Sequence, residues 1–166
     1  CGNGGSMADL FAEPVHIFLE KGLEALERSS KFGDLKRSVA ERVRREAAFD
    51  REVLQALVAA GKDRVRAGAL SATLEDAEFR AACGSPIPLA RLLPRKLDRD
   101  AWPARFRSGR FAARTAADRT EADLAERAFR RIKLMRTPAL ADGAKFDYAY
   151  ARDLMAALEL ELGRKR

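Results

Sequence analysis

The sequence predicts an all-α protein: a compact bundle of about five to six helices, with an irregular segment at 85–119 that is rich in Pro and Arg. Apolar residues recur at helical spacing outside that segment, and no stretch alternates with period two over strand length. Of the 166 residues, 47% are hydrophobic, which is enough to form a core and excludes a disordered chain. We therefore expect one all-helical domain over 7–166, or two packed sub-bundles at about 7–84 and 85–166.

Three helices are predicted before residue 85. The first covers about 9–28 and ends in a break at 29–33. The second begins with Asp34 as its N-cap and runs to about Ala60, where Gly61 follows. The third begins at a sequence that resembles a capping box, residues 73–76, and ends at Gly84. The apolar arc of the second helix consists of Leu35, Val39, Val43, Ala47, Leu54 and Leu57.

The second half of the chain begins irregularly and ends in two helices. Prolines at 86, 88, 94 and 103 leave room for short helical turns only. Thr120 and Asp123 again resemble a capping box, and the helix that they start runs to about Arg136, before Thr137 and a proline. A final helix covers about 144–162. Its predicted buried face consists of Tyr150, Leu154, Met155, Leu158 and Leu162.

The first six residues and the two cysteines carry little structural information. Residues 1–6 contain three glycines and no apolar side chain apart from Cys1, and Met7 follows. They fit a linker or cloning remnant, or a lipoprotein start whose Cys1 carries lipid. We expect Cys83, at a helix end, to be a small buried hydrophobe.

The surplus of basic over acidic residues lies in one segment of the chain. The chain carries 32 Lys+Arg and 25 Asp+Glu, a net charge of +7, and residues 91–136 alone hold 14 basic and 6 acidic side chains. Arginine suits phosphate contacts because its forked donors match phosphate oxygens. Trp102, Phe106 and Phe111 are interspersed among these arginines, either to stack on bases or, as we expect, to join the core.

The helix predicted after Thr120 adds a basic face to this segment. At 100° per residue its apolar side chains span about 140°, and Arg127, Arg130, Arg131 and Lys133 lie on the other side. Such a basic patch favours nucleic acid as the binding partner. A solvated helix face, an acidic protein partner or a membrane surface are the alternatives.

Sequence signals of catalysis are missing. The chain has no phosphate-binding glycine loop, no zinc-protease motif and no nucleophile elbow, and its one histidine, His16, lies on an apolar helix. We expect no enzyme activity, no cofactor and no metal. Because no apolar run is long enough to span a bilayer, we expect a soluble cytoplasmic protein with no membrane partner.

The C-terminal part resembles a known family. An Arg-Phe pair at 110–111, an Ala-Asp-Arg turn at 117–119, a helix rich in Arg and Leu, a Gly turn and the sequence Asp-Tyr-Ala-Tyr-Ala-Arg-Asp-Leu-Met at 147–155 occur in this order. This order resembles the small subunit of the type I-E CRISPR Cascade complex, over residues 110–158. The resemblance implies a non-catalytic, all-helical subunit of a crRNA-guided complex. Such a subunit is usually present in more than one copy beside other subunits, and it stabilises the guide–target duplex and the displaced strand through their backbones.

Two hypotheses follow for function. The first is a sequence-independent subunit that binds the backbone of RNA or DNA, with possible self-association inside a larger complex. The alternative is a helical protein–protein adaptor, anchored through Cys1 if it is a lipoprotein, whose basic segment is solvated or binds an acidic partner. The residues predicted to contact phosphate are Arg105, Arg107, Arg110, Arg114, Arg119, Arg127, Arg130 and Arg131.

Overall fold

The computed structural model describes residues 22, 24–61, 63–137 and 146–164. The chain divides into two compact units, residues 1–36 and 37–166. The predicted linker at 1–6, Cys1, His16 and most of the helix predicted at 9–28 lie outside the described residues. Within those residues every regular element is helical, so the all-α prediction is confirmed.

From Ser30 onward, the described part of the chain contains eight α-helices and one 3₁₀ turn, more than the five or six expected, because the segment at 85–119 folds into several short helices. The α-helices are α1 (Ser30–Ala60), α2 (Arg64–Ser71), α3 (Ala77–Cys83), α4 (Leu89–Leu92), α5 (Ala104–Arg107), α6 (Gly109–Thr115), α7 (Glu121–Arg136) and α8 (Tyr148–Gly163), and the 3₁₀ turn covers Arg99–Ala101.

In the unit at 1–36, the helical structure is interrupted at two residues only. Residues 24–27 are helical, Arg28 and Ser29 form a turn, and the Ser29 hydroxyl donates to the Leu26 carbonyl at 2.7 Å. Helix α1 then begins at Ser30, so Asp34 lies inside the helix and the prediction that it is the N-cap is wrong. The break is therefore shorter than the predicted one at 29–33, and α1 begins four residues before the expected N-cap.

The unit at 37–166 contains the rest of α1 and all later elements. The predicted apolar arc of α1 is buried from Val39 to Leu57, and the helix ends at Gly61, whose φ of +59° suits a glycine. The sequence reasoning missed α2. Its signal was the Asp63 side chain, which accepts the Arg66 N–H at 3.0 Å and caps the new helix.

Helix α3 begins at a cap that comes from another helix. The predicted capping box at 73–76 is wrong, because the Thr73 hydroxyl donates back to the Leu70 carbonyl at 2.7 Å. The Glu46 carboxylate of α1 accepts the N–H groups of Glu78 and Phe79 instead, at 2.8 and 2.9 Å. The predicted end of the helix at Gly84 is confirmed.

The two last helices form the centre of the unit. Thr120 and Asp123 form the predicted capping box of α7, which ends at Arg136 as expected. Helix α8 begins at Tyr148 rather than 144, because the Asp147 side chain caps it by accepting the Tyr150 N–H at 3.0 Å. Helix α7 packs against α8, α3 and α4, and α6 packs against α8 and α5. The predicted core face of α8 is buried along its whole length.

Candidate functional site

Two arginines of α6 share one carboxylate at the start of α8. Arg110 and Arg114 lie one helical turn apart, and each donates from Nη1 to the same Asp147 oxygen, at 3.0 and 2.9 Å. Partial burial works against ionisation of Asp147, but the Tyr150 N–H, Arg114 and Arg110 together hold the pKa of this carboxyl below its usual range. Gly109, at φ +67°, permits the bend that starts α6 and brings Arg110 to Asp147.

A third guanidinium group approaches the same place from α7. The ring of Tyr150 lies under the guanidinium groups of both Arg114 and Arg131, with their Cζ atoms 4.7 and 5.4 Å from its centroid. The ring itself is buried and packs on Phe111 at 5.8 Å. We call these five side chains, Arg110, Arg114, Arg131, Asp147 and Tyr150, the Tyr150 cluster.

The Tyr150 cluster has a surplus of positive charge at the protein surface. The cluster holds three guanidinium groups and one carboxylate, which Arg110 and Arg114 share, so two positive charges are uncompensated within it. The Arg110 side chain is 74% exposed and that of Arg114 is 36% exposed. Each guanidinium carries five N–H donors, of which Asp147 occupies few, so donors remain for an external anion.

Arg127 and Arg130 lie on α7 beside the cluster, but each has its own acid. Arg127 makes a bidentate pair with the buried Asp118, at 2.7 and 2.8 Å, and this pair raises the pKa of its guanidinium. The Tyr150 hydroxyl lies close enough to Arg127 to add to that shift without reaching hydrogen-bond geometry. Arg130 donates to Glu126 at 3.0 Å on the exposed face. Arg127 therefore ties α7 to the turn before it.

Arg105, Arg107 and Arg119 are exposed and lie outside the Tyr150 cluster. Within the described residues none of these three side chains pairs with a carboxylate. The Arg105 guanidinium lies over the ring of Phe106, 4.8 Å from its centroid. The structure thus brings together three of the eight predicted residues, places two more beside them on α7, and leaves these three separate.

Other arginines of the basic segment hold the fold together. Arg99 donates from Nη2 to the carbonyls of Thr115 and Asp118, at 2.5 and 2.8 Å. Arg95 donates to the Arg164 carbonyl at 3.1 Å and lies 3.8 Å from Glu121. Sequence reasoning missed this use of arginine, because its partners are backbone carbonyls and distant acids that carry no sequence signal.

The aromatic residues of the segment belong to the core, as expected. Trp102, Phe106 and Phe111 are buried and pack on one another, with centroids 4.9 to 6.4 Å apart. The Trp102 indole N–H donates to the buried Glu161 carboxylate at 2.5 Å. These rings fix the segment to the bundle and are not available to stack on bases.

A second cluster, of buried carboxyls, lies between α1 and residues 75–79. Asp50 is fully buried and accepts the Glu75 N–H at 2.8 Å through Oδ1, while its Oδ2 has no hydrogen-bond partner. Burial raises the pKa of Asp50 to about 8, with Glu46 and Glu75 adding to the shift and the Glu75 N–H and Arg136 opposing it. Burial likewise raises the pKa of Glu46. Burial therefore favours the protonated form of Asp50 in the fold.

Metal ligation and thiol chemistry find little support in the residues described. No three His, Cys, Asp or Glu side chains among them are placed to hold a metal ion. Cys83 is half-buried rather than buried, and burial together with Glu126 raises the pKa of its thiol against the opposing effect of Arg130.

Of the described helices, none has the length and apolar character needed to cross a membrane. No protein family, curated protein or solved structure matches the chain.

Proposed function

We propose that this chain is a non-catalytic nucleic-acid-binding protein that contacts the phosphate backbone through the Tyr150 cluster. The observation that carries the proposal is the grouping of three guanidinium groups: Arg110 and Arg114 bind Asp147, and Arg114 and Arg131 lie over the Tyr150 ring. A surplus of positive charge with free forked donors is the arrangement that phosphate oxygens bind.

Preorganisation of the arginines strengthens this proposal. A free arginine side chain loses rotamer entropy when it binds a ligand. Arg114 and Arg131 are already stacked on the Tyr150 ring, and Arg114 is also held by Asp147. Part of this rotamer entropy is already lost when the chain folds. A phosphate that binds here therefore meets guanidinium groups close to their bound positions.

The remaining exposed arginines extend the charge beyond the cluster. Arg105, Arg107 and Arg119 have no carboxylate partner among the described residues, and all three lie in the same basic segment. They add a diffuse positive field that attracts a polyanion over a longer distance than direct contacts do. Arg130, already paired with Glu126, contributes less.

The resemblance to the small subunit of the type I-E CRISPR Cascade complex extends the proposal to an assembly. By that proposal the chain acts in the cytoplasm beside other subunits, and base pairing by the guide supplies sequence specificity while this chain supplies charge and shape. Asp147, Arg110 and Arg131 all lie inside the resembling region at 110–158. An RNA–DNA heteroduplex therefore belongs among the ligands tested.

The test is fluorescence anisotropy of the full chain with labelled single-stranded DNA, RNA, duplex DNA and RNA–DNA heteroduplex, from about 50 to 300 mM salt. We expect sequence-independent binding whose log–log salt slope is several units, because each phosphate contact adds about 0.9 for a duplex and about 0.7 for a single strand. The double variant Arg110→Gln/Arg131→Gln should lower the slope by about 1 to 2 and weaken all sequences equally.

Arg45→Gln is the matched control. Arg45 has the same exposed fraction as Arg110, 74%, and pairs at the same distance, 3.0 Å, with one acid, Glu41. It lies on α1, outside the Tyr150 cluster, so its loss should leave the slope nearly unchanged. Absence of salt-dependent binding at the lowest salt, or equal effects of the two variants, would contradict the proposal, and the first result would favour the adaptor hypothesis.

A further inference from the structure

Two aromatic rings with exposed surface lie on either side of Asp147. Phe146 and Tyr148 are each half-buried, and their ring centroids are 6.2 Å apart with an interplanar angle of 40°. Asp147 between them holds Arg110 and Arg114. A pair of rings and a pair of guanidinium groups thus meet at one point of the chain, the start of α8.

The neighbouring aromatics of the bundle are placed differently. Trp102, Phe111 and Tyr150 have 2, 6 and 5% of their surface exposed, so their faces are covered by protein. Burial of an aromatic ring stabilises the fold by removing apolar surface from water, and the half-buried Phe146 and Tyr148 forgo part of that gain. Both residues retain surface that a ligand at this place can contact.

We infer that Phe146 and Tyr148 stack on the bases of single-stranded nucleic acid while Arg110 and Arg114 bind its phosphates. This inference rests on the proposed function and names its ligand class, a single strand rather than a duplex. Single strands bind proteins through the combination of aromatic rings and a positive groove, since every base offers a π-face. In a duplex those faces are covered by neighbouring bases, so the rings gain nothing from it.

The geometry favours stacking by two separate bases. Rings inclined at 40° do not form one flat surface, so each ring takes its own base. Because a π-face is common to all four bases, the contact is tolerant of sequence, which agrees with a backbone-binding protein. The two arginines that would bind the phosphates are held by Asp147, the residue between the two rings in the sequence.

The experiment compares three labelled probes at one salt concentration on the full chain: an oligo-dT strand, an abasic strand of equal length and a duplex of equal length. The abasic strand keeps the phosphates and removes the bases. We expect oligo-dT to bind about 25-fold more tightly than the abasic strand, because each of two stacked bases contributes about fivefold. Phe146→Leu and Tyr148→Leu should each weaken oligo-dT binding by about fivefold and leave abasic binding unchanged.

Two controls separate stacking from a general effect on folding. Tyr148→Phe keeps the ring and should bind oligo-dT as the wild type does. Phe49→Leu removes an exposed phenylalanine of α1, 41% exposed, that lies outside the Tyr150 cluster, and it should have no effect. The comparison of oligo-dT with the abasic strand needs no variant, so it decides the question even where a leucine variant fails to fold.

Equal affinity of the wild type for oligo-dT and the abasic strand would overturn the stacking inference and leave the proposed function intact. Tighter binding of the duplex than of oligo-dT would do the same. If the wild type binds none of the three probes at the lowest salt, both the proposed function and this inference fail.

Discussion

The buried carboxyl of Asp50 makes a prediction about pH that the structure quantifies. Its pKa is about 8 in the fold and 3.8 as the ordinary value, so between these pH values the folded chain holds a proton that the unfolded chain has lost. Folding then takes up one proton, and stability falls as pH rises. The limiting slope is about 1.4 kcal/mol per pH unit, which amounts to about 2.7 kcal/mol between pH 5 and pH 7.

The Asp50→Asn variant isolates this effect. An amide keeps an oxygen for the Glu75 N–H, which Asp50 accepts at 2.8 Å, and it does not ionise. The free energy of unfolding of the variant should therefore lack the Asp50 contribution to the slope. The difference between variant and wild type should grow by about 1 to 3 kcal/mol from pH 5 to pH 7, in favour of the variant, the lower value applying if Arg136 moves toward the ionised carboxylate.

Other titrating groups do not imitate this result. Glu41, held by Arg44 and Arg45, has its pKa lowered to about 2, so its contribution to stability is complete above its ordinary value of 4.5. The pKa of Glu46 is raised, in the same direction as that of Asp50. Glu46 is common to both proteins, so its contribution largely cancels in the difference.

The assay is urea unfolding at about pH 5, 6 and 7, followed by the fluorescence of the buried Trp102 and by circular dichroism. Coincident transitions by the two probes establish that one free energy of unfolding describes the unit. Parallel plots of stability against pH for wild type and Asp50→Asn would refute the reasoning, since they would mean that Asp50 is ionised in the fold.

Two further predictions concern the candidate site. Asp147→Asn keeps an oxygen to cap α8 and removes the one negative charge between Arg110 and Arg114. In the same anisotropy titration, nucleic-acid affinity should rise and the log–log salt slope should increase by up to about 1. Unchanged binding would argue against the site. Thr120→Ala breaks the capping box with Asp123 and should cost about 1 kcal/mol of unfolding free energy in urea, without changing binding at the Tyr150 cluster beyond that loss.

Helices whose ends are fixed by local sequence could be predicted from it. Thr120 and Asp123 are three residues apart, and the side chain of each accepts the backbone N–H of the other at the start of α7. Both partners of this cap are therefore visible in the local sequence. Gly61 ended α1 as expected for the same reason. The start of α3 could not be predicted, because its cap is Glu46, more than thirty residues earlier on another helix. Sequence reasoning sees a cap only when donor and acceptor are neighbours in the chain.

The candidate site divides in the same way. Charge counting located the basic segment, and helical spacing put Arg131 on the polar side of α7. Nothing local indicated that Arg110 and Arg114 would meet Asp147, more than thirty residues further on, or that Tyr150 would support Arg114 and Arg131. Some of the acids that neutralise these arginines, such as Asp147, lie outside the segment, so a count by segment overstates the free charge.

The arginines of the basic segment therefore have two roles, which the amino-acid composition alone does not distinguish. A guanidinium that donates to backbone carbonyls, as Arg99 does, supplies hydrogen bonds to a segment too irregular to satisfy its own backbone, and its charge is a consequence of that task. The groups at the Tyr150 cluster differ, because Arg110 and Arg114 share one carboxylate and Arg131 lies over the Tyr150 ring with no ion pair to a described residue. The uncompensated charge at Arg110, Arg114 and Arg131, rather than the density of arginine along the chain, is what indicates an external anion.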